Sequence, residues 1–164
     1  HAGIEGMCIL ANDRRELLMK CLSAGEVDEI LQWSSLMDVL PESRILRKWA
    51  SFMHDPTEGG FLGGLSEISR LSGLGIDLER DSVRIDPMTR KCSRVLGFDP
   101  LRLISSGVLL AILPKEHLCE ALEALEIAGM GFSVIGTVVA EKGNVGIETR
   151  EELWGLLSEG RSSS

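Results

Sequence analysis

The sequence predicts an α+β fold in which helices are layered on a mixed β-sheet. Short apolar runs of strand length alternate along the chain with segments whose apolar residues recur at helical spacing. Glycine and proline residues separate these segments. The chain has 164 residues and no internal repeat, which suits one domain with a substantial core. We assign that domain to residues 1–158 and expect residues 159–164 to form a disordered tail.

The first third of the chain is predicted to be mostly helical. Residues 4–11 form a short apolar run, which indicates a first strand. Asp13 and Glu16 have the spacing of a capping box and predict a helix that Gly25 ends. Two further short helices are predicted from these apolar residues: Val27, Ile30 and Leu31, and then, after Pro41, Ile45, Leu46, Trp49 and Phe52.

The remaining two thirds alternate more regularly. A glycine-rich helix is predicted over residues 56–72, because its apolar residues fall at helical spacing and Gly73 follows. The later elements are predicted in this order: a strand at 76–78, a helix at 87–96, a strand at 108–113, a helix from 114 to about 129, a strand at 132–140, a hairpin return through 145–147, and a last helix after Thr149.

Charge and hydropathy exclude several classes of function. The formal net charge is −8 and no Lys/Arg-rich run is present, so we expect no binding to nucleic acid or to anionic membranes. No apolar run has the length of a membrane span, and no signal peptide is visible. The chain begins at His1 rather than Met, which we interpret as the start of a fragment of a longer protein.

The four cysteines, at positions 8, 21, 92 and 119, do not have the spacing of a metal site. A zinc site requires pairs of ligands at short spacing, and no two of these cysteines are close in sequence. Each has apolar neighbours, which favours core thiols in a reducing cytoplasm. We therefore predict a cytoplasmic protein without a metal site in this chain.

The most informative segment runs from Asp55 to Gly64. Asp55 followed by Pro56 and Glu58 has the pattern of a capped helix start. Four glycines follow within the next six residues, and each costs about 1 kcal/mol relative to alanine inside a helix. Such a cost is offset where another backbone or a ligand approaches the helix closely. The segment therefore marks either a ligand-facing helix start or a closely packed one.

Three segments in fixed order resemble one superfamily. They are MHDPTEGGFLGGLSEISRLSGLGIDLE at 53–79, DPMTRKCSRVLGFDPLRLISSGVLLAILPKE at 86–116 and ALEALEIAGMGFSVIGTVV at 121–139. Together they resemble the C-terminal domain of the aminoimidazole ribonucleotide (AIR) synthetase superfamily, and most closely its hydrogenase expression/formation branch of the HypE type. The resemblance covers about residues 50 to 140, whereas residues 1–50 match only in general layout.

The resemblance implies ATP-dependent chemistry in a longer parent protein. In this superfamily much of the ATP and Mg²⁺ site belongs to an N-terminal domain, whose carboxylate-rich motifs have no counterpart in this chain. The C-terminal domain closes over that site with its glycine-rich segment. We therefore expect the N-terminal domain as a partner, no cofactor bound by this fragment alone and no turnover by it. Subunits of the superfamily commonly pair, so a homodimer is a further hypothesis.

Three departures from the family pattern bear on the chemistry. The hydrogenase-maturation pattern Asp-x-Thr-Arg-Gly-Gly has arginine where this chain has Glu58, which makes phosphate contact at this helix start doubtful. Ser106 stands where relatives often have glutamate. No cysteine follows Cys119, although the family's proteins end in a cysteine that carries the carbamoyl group. We therefore do not expect the cyanide-ligand chemistry of that family.

The candidate site combines the helix start with a second segment that precedes an apolar strand. Its residues, which the resemblance places at a nucleotide and substrate cleft, are His54, Asp55, Thr57, Glu58, Gly59, Gly60, Ser106 and Gly107. No catalytic residue is assigned, because no nucleophile–base pair, Walker pattern or dinucleotide fingerprint can be assembled.

Two functions follow as hypotheses. The first is an enzyme part that completes a cleft for ATP and a small polar substrate. The second is an interaction, regulatory or dimerisation module that kept the fold and lost the chemistry, which Glu58 and Ser106 favour.

Overall fold

Helices and short strands alternate in the computed structural model, which describes residues 1–141, 143–146 and 150–158. The α-helices are α1 (Ile4–Asp13), α2 (Arg15–Leu18), α3 (Ala24–Gln32), α4 (Leu40–Leu46), α5 (Gly60–Ser72), α6 (Pro87–Leu96), α7 (Leu118–Ile127) and α8 (Leu153–Ser158). The strands are β1 (Phe52–His54), β2 (Gly75–Leu78), β3 (Leu110–Ile112) and β4 (Gly136–Val139). Single turns of 3₁₀-helix lie at Trp33–Leu36, Arg80–Ser82, Pro100–Arg102 and Lys115–His117.

The predicted α+β class is confirmed, with a simpler strand arrangement than one mixed sheet. Strand β1 pairs antiparallel with β3, so that His54 lies opposite Leu110. Strand β2 pairs antiparallel with β4, so that Ile76 lies opposite Val138. The strands of the described residues therefore form two separate two-stranded sheets.

Three groups of buried side chains form the core of the described residues. The first packs α1 against α3, with contributions from α6 and α8; the second lies between α5 and the β2–β4 sheet; the third joins α4 to α7. Representative members are Met7, Leu10, Val27, Ile30, Cys92 and Leu153 in the first, Phe61, Leu65, Ile68 and Ile76 in the second, and Leu46, Ala121 and Leu125 in the third.

The predicted first strand at residues 4–11 is wrong, because this segment belongs to helix α1. Ile4, Met7 and Leu10 are buried at a spacing of three residues, which places them on one face of a helix. A short apolar run fits a buried strand and a buried helix equally well. Packing against α3 decides between them, since both helices contribute to the first core group.

The capping box predicted at Asp13 and Glu16 is also absent. Helix α1 ends at Asp13, and the Glu16 carboxylate accepts a hydrogen bond from the Arg14 guanidinium at 2.7 Å instead. The capping box forms later, where Ser23 and Glu26 satisfy each other's backbone N–H groups at the start of α3.

Other boundaries shift by smaller amounts. Phe52 lies in β1 rather than at the end of a helix, and the helix predicted from residue 114 starts as a 3₁₀ turn before α7. Of the four cysteines expected in the core, Cys92 is buried, whereas Cys119 is exposed. The predictions for Ile147, Thr149 and the tail at 159–164 concern residues outside the described part of the chain.

The segment after β4 lies against β2, on the side away from β4. The Asn144 side chain accepts a hydrogen bond from the Leu78 N–H at 2.8 Å and donates one to the Leu78 carbonyl at 3.0 Å. The Val145 N–H donates to the Ile76 carbonyl at 3.2 Å. In the described residues the return after β4 therefore covers the second edge of β2 instead of forming the predicted hairpin with β4.

Candidate functional site

The loop between β1 and α5 does not form the predicted helix cap. Helix α5 begins at Gly60, and its N-cap is Gly59 with a φ of 80°, without a side-chain cap from the described residues. Pro56, predicted at the first helical position, is instead fully buried before the helix. The turn closes through the Gly60 N–H, which donates to the Thr57 carbonyl at 3.0 Å. Asp55 and Glu58 are therefore free of a capping role.

The fold brings the two predicted segments of the site together at Asp55 and Gly107. The Gly107 backbone N–H lies near enough to the Asp55 carboxyl group to lower its pKa. Gly107 has a φ of 92°, and a Cβ there would lie 2.8 Å from the Cα of Met37. Only glycine fits this left-handed and crowded position easily. The neighbouring Ser106 N–H donates to the Glu5 carboxylate at 3.2 Å.

The surroundings of Asp55 change the pKa of its carboxyl group. Partial burial raises its pKa from the ordinary value, and the nearby charge of Glu5 adds to this, whereas the Gly107 backbone N–H and His54 act in the opposite direction. Its Oδ1 atom is buried and has no hydrogen-bond partner among the described residues. A buried acceptor without a partner is costly, so this oxygen is suited to accept a hydrogen bond from a ligand.

His54 and the exposed residues of the loop are arranged differently. The His54 Nε2 atom lies 2.9 Å from a carboxylate oxygen of Glu67 on α5, so this histidine links β1 to α5. The side chains of Thr57 and Glu58 are exposed to solvent. The structure therefore leaves Thr57 and Glu58 accessible and holds His54 in a pair between two elements.

Glu151 was not predicted, although it makes the most hydrogen bonds at this place. One carboxylate oxygen accepts from the Gly59 N–H at 2.8 Å, and the other accepts from the N–H groups of Ile104 and Leu153, each at 3.0 Å. An internal carboxylate thus occupies the positive N-terminal end of α5. No local pattern could have indicated this contact, because Gly59 and Glu151 are 92 residues apart.

Close packing accounts for two of the conspicuous glycines. Gly60 has a φ of 64°, and a Cβ there would lie 2.6 Å from the carbonyl oxygen of Leu103. A Cβ at Gly64 would lie 2.5 Å from the Cβ of Pro56 and 3.1 Å from Leu110. Contacts below 3.0 Å require something to move, so these glycines are needed for the approach of chain segments whether or not a ligand binds.

By themselves these residues do not fit a bare phosphate group or a Mg²⁺ ion. The Gly59 amide already binds Glu151, and a phosphate placed nearby would meet the carboxyl groups of Asp55 and Glu58. Mg²⁺ requires several oxygen ligands in near-octahedral geometry. Within the described ranges, no three His, Cys, Asp or Glu side chains come together to hold a metal ion.

An apolar cavity of about 450 Å³ lies between the two sheets. Its walls include Phe61, Ile76 and Leu122, and of the candidate site residues it contains only Gly107. Glu42 also lines it and has a buried Oε2 atom without a hydrogen-bond partner in the described part of the chain. This cavity is therefore a feature separate from the loop around Asp55.

Comparison with known proteins agrees with the resemblance seen in the sequence. Residues 2–148 match the family described as AIR synthase related protein, C-terminal domain. Carbamoyl dehydratase HypE of Azotobacter vinelandii is 35% identical over 111 residues, which are 66% of this chain and 30% of that protein. The chain thus spans less than a third of this relative's length.

The fold of this chain is similar to solved structures of HypE. A crystal structure of E. coli HypE has a TM-score of 0.70 at 26% identity and covers 87% of this chain and 42% of that chain. A structure of hydrogenase maturation protein HypE in complex with ATP has a TM-score of 0.54 at 30% identity and covers 59% of this chain and 31% of that chain.

None of the helices in the described residues is long and apolar enough to cross a membrane. The family match extends over nearly the whole chain and agrees with the α+β fold. The chain therefore belongs to the AIR synthase related proteins, as their C-terminal domain, and within them to the HypE branch.

Proposed function

We propose that this domain forms one wall of a cleft for ATP and a small polar substrate, in a protein of the hydrogenase-maturation type. The main support is the similarity to a HypE whose structure was solved in complex with ATP. The proximity of Asp55 and Gly107 adds support, because it brings the two segments of the proposed wall together.

In this proposal the phosphates and metal ions are held by an N-terminal domain. Phosphate binding requires cationic or amide donors, and the candidate residues of this chain supply mainly carboxylates. Asp55 instead accepts a hydrogen bond from a ligand hydroxyl or amide through its unpartnered Oδ1 atom. The exposed Thr57 and Glu58 lie along the rim of the same wall.

Calorimetric titration with ATP and Mg²⁺ tests the proposal. The protein to use is the one that carries this domain behind an N-terminal domain of the family, with the present chain alone as its control. We expect binding by the longer protein and none by this chain. Absence of binding by the longer protein would contradict the proposal.

A non-catalytic interaction or dimerisation module is the second candidate. It is favoured by the Glu151 carboxylate, which already accepts the hydrogen bond of the Gly59 N–H at the start of α5. It is also favoured by Gly60 and Gly64, since packing alone accounts for both. Sedimentation of this chain tests the dimer directly: a concentration-dependent dimer would support this candidate, and a monomer at all concentrations would count against it.

A further inference from the structure

Two cysteines from distant parts of the sequence are in direct contact. The Sγ atom of Cys21, which follows α2, lies 2.9 Å from the Sγ atom of Cys92 in the middle of α6. A disulfide bond has about 2.0 Å between its sulfur atoms, so the two sulfur atoms must approach each other by about 1 Å. The sequence separation of 71 residues shows that the fold creates this pair.

We propose that Cys21 and Cys92 form a reversible disulfide and thus a modification site for hydroperoxide oxidants. Cys21 is partly exposed and is the sulfur that a small peroxide reaches first. Cys92 is fully buried behind it, in the first core group. The Cys21 thiol therefore reacts with the oxidant, and the buried Cys92 thiol then forms the disulfide with the oxidised Cys21.

Hydrogen peroxide oxidises the two thiols to a disulfide in two steps. The Cys21 thiolate attacks one oxygen of hydrogen peroxide, the O–O bond breaks, and a sulfenic acid forms while hydroxide leaves and takes up a proton to become water. The Cys92 sulfur then attacks the sulfenic sulfur, the S–O bond breaks, and a second water leaves. Two thiols are oxidised to one disulfide, and one peroxide is reduced to two waters.

Burial and the neighbouring groups keep the Cys92 thiol protonated. Burial raises the pKa of Cys92 well above its ordinary value, and Cys21 and Glu26 raise it further, whereas Lys91 lowers it. A protonated thiol is a weak nucleophile, so the second step is expected to become faster as the pH rises.

The other two cysteines have no sulfur partner among the described residues and provide internal controls. The Cys8 thiol donates a hydrogen bond to the Ile30 carbonyl at 3.2 Å, and burial with the nearby Glu5 raises its pKa to about 11. Cys119 is exposed on α7 and is not paired with another cysteine of the described chain. Cys119 therefore reports general oxidation, against which the pair is compared.

Peptide mapping after mild oxidation tests the proposal. The full chain is treated with hydrogen peroxide, its remaining thiols are blocked in denaturant, and trypsin then cuts after Lys20 and Arg44 and after Lys91 and Arg94. We expect a linked product of peptides 21–44 and 92–94 that dithiothreitol separates. Recovery of both peptides unlinked would overturn the proposal.

The variants Cys21→Ser and Cys119→Ser distinguish a bond between Cys21 and Cys92 from other cross-links. Cys119→Ser should retain the linked product, and its melting temperature should rise on oxidation as in the unmodified sequence, because the bond closes a long loop. Cys21→Ser should show neither effect and should leave Cys92 reduced. A rise in melting temperature on oxidation of Cys21→Ser, or a cross-link only between two chains, would also overturn the proposal.

Discussion

The Glu151 carboxylate accepts a hydrogen bond from the Gly59 backbone N–H at 2.8 Å, across 92 residues of sequence. The same carboxylate binds the N–H groups of Ile104 and Leu153. One side chain thereby fixes the start of α5, the segment before β3 and the start of α8 relative to one another. Gly59 belongs to the proposed wall of the cleft, and Ile104 lies shortly before its second segment at Ser106 and Gly107, so Glu151 supports both segments.

Replacement of Glu151 by glutamine should destabilise the fold by about 1–3 kcal/mol, because three hydrogen bonds to a charged acceptor are weakened or lost. The free energy of unfolding in urea measures this effect. Glu123→Gln on α7 is the matched control, since this glutamate is exposed, and its change should stay within about 0.5 kcal/mol. Equal stabilities of the two variants would contradict the supporting role of Glu151.

Gly64→Ala should also destabilise the chain, by about 1–3 kcal/mol from overpacking. The added methyl group would lie 2.5 Å from the Cβ of Pro56 and 3.3 Å from the His54 ring. Gly25→Ala is the control, because Gly25 lies in α3 and nothing is within 4 Å of a Cβ placed there. Gly25→Ala should raise the stability by about 0.5–1 kcal/mol through helix propensity, so the two variants should move in opposite directions.

The elements that the sequence predicted well have local signals. Asp86 and Pro87 start α6, and Gly97 ends it, as their residue types indicate. The start of α5 was misplaced because tertiary packing removed Pro56 from the helix and buried it. Long-range contacts such as that between Glu151 and Gly59 have no local signal.

The candidate site was predictable to a similar extent. The sequence places both Asp55 and Gly107 in the candidate site, but nothing in their spacing indicates that the fold brings them close together. The sequence of the four-glycine segment predicts either a ligand-facing or a closely packed helix start. Gly60 and Gly64 show close packing in the structure, which depends on the positions of Leu103 and Pro56.

Asp55→Asn should raise the stability at neutral pH. The folded-state pKa of Asp55 lies above its ordinary value of 3.8, so the folded chain binds more protons than the unfolded chain in the window just above that value. Stability therefore falls as pH rises through this window, and above it the ionised carboxylate remains unfavourable. Asparagine removes that penalty and keeps a side-chain oxygen as a hydrogen-bond acceptor.

The pH dependence gives this prediction a second measurement. Urea unfolding at neutral pH and below the ordinary pKa of 3.8 should show that the advantage of Asp55→Asn shrinks as pH falls. Asp81→Asn is the control, because Asp81 is exposed. An Asp55→Asn variant that is less stable than the unmodified chain at neutral pH would contradict the assigned role of burial.

Glu58→Arg distinguishes the two proposed functions. Because Glu58 is exposed, the change should alter the stability by no more than about 0.5 kcal/mol. The Gly59 amide is occupied by Glu151, so any gain in nucleotide affinity must come from the new guanidinium group.

If this loop faces the cleft, ATP should bind about fivefold to tenfold more tightly to the longer protein that carries the N-terminal domain. Glu123→Arg makes the same change of charge on α7, and an equal gain there would indicate a long-range effect of charge alone. Unchanged affinity in Glu58→Arg, with ATP binding intact, would show that the loop is structural and would favour the interaction module.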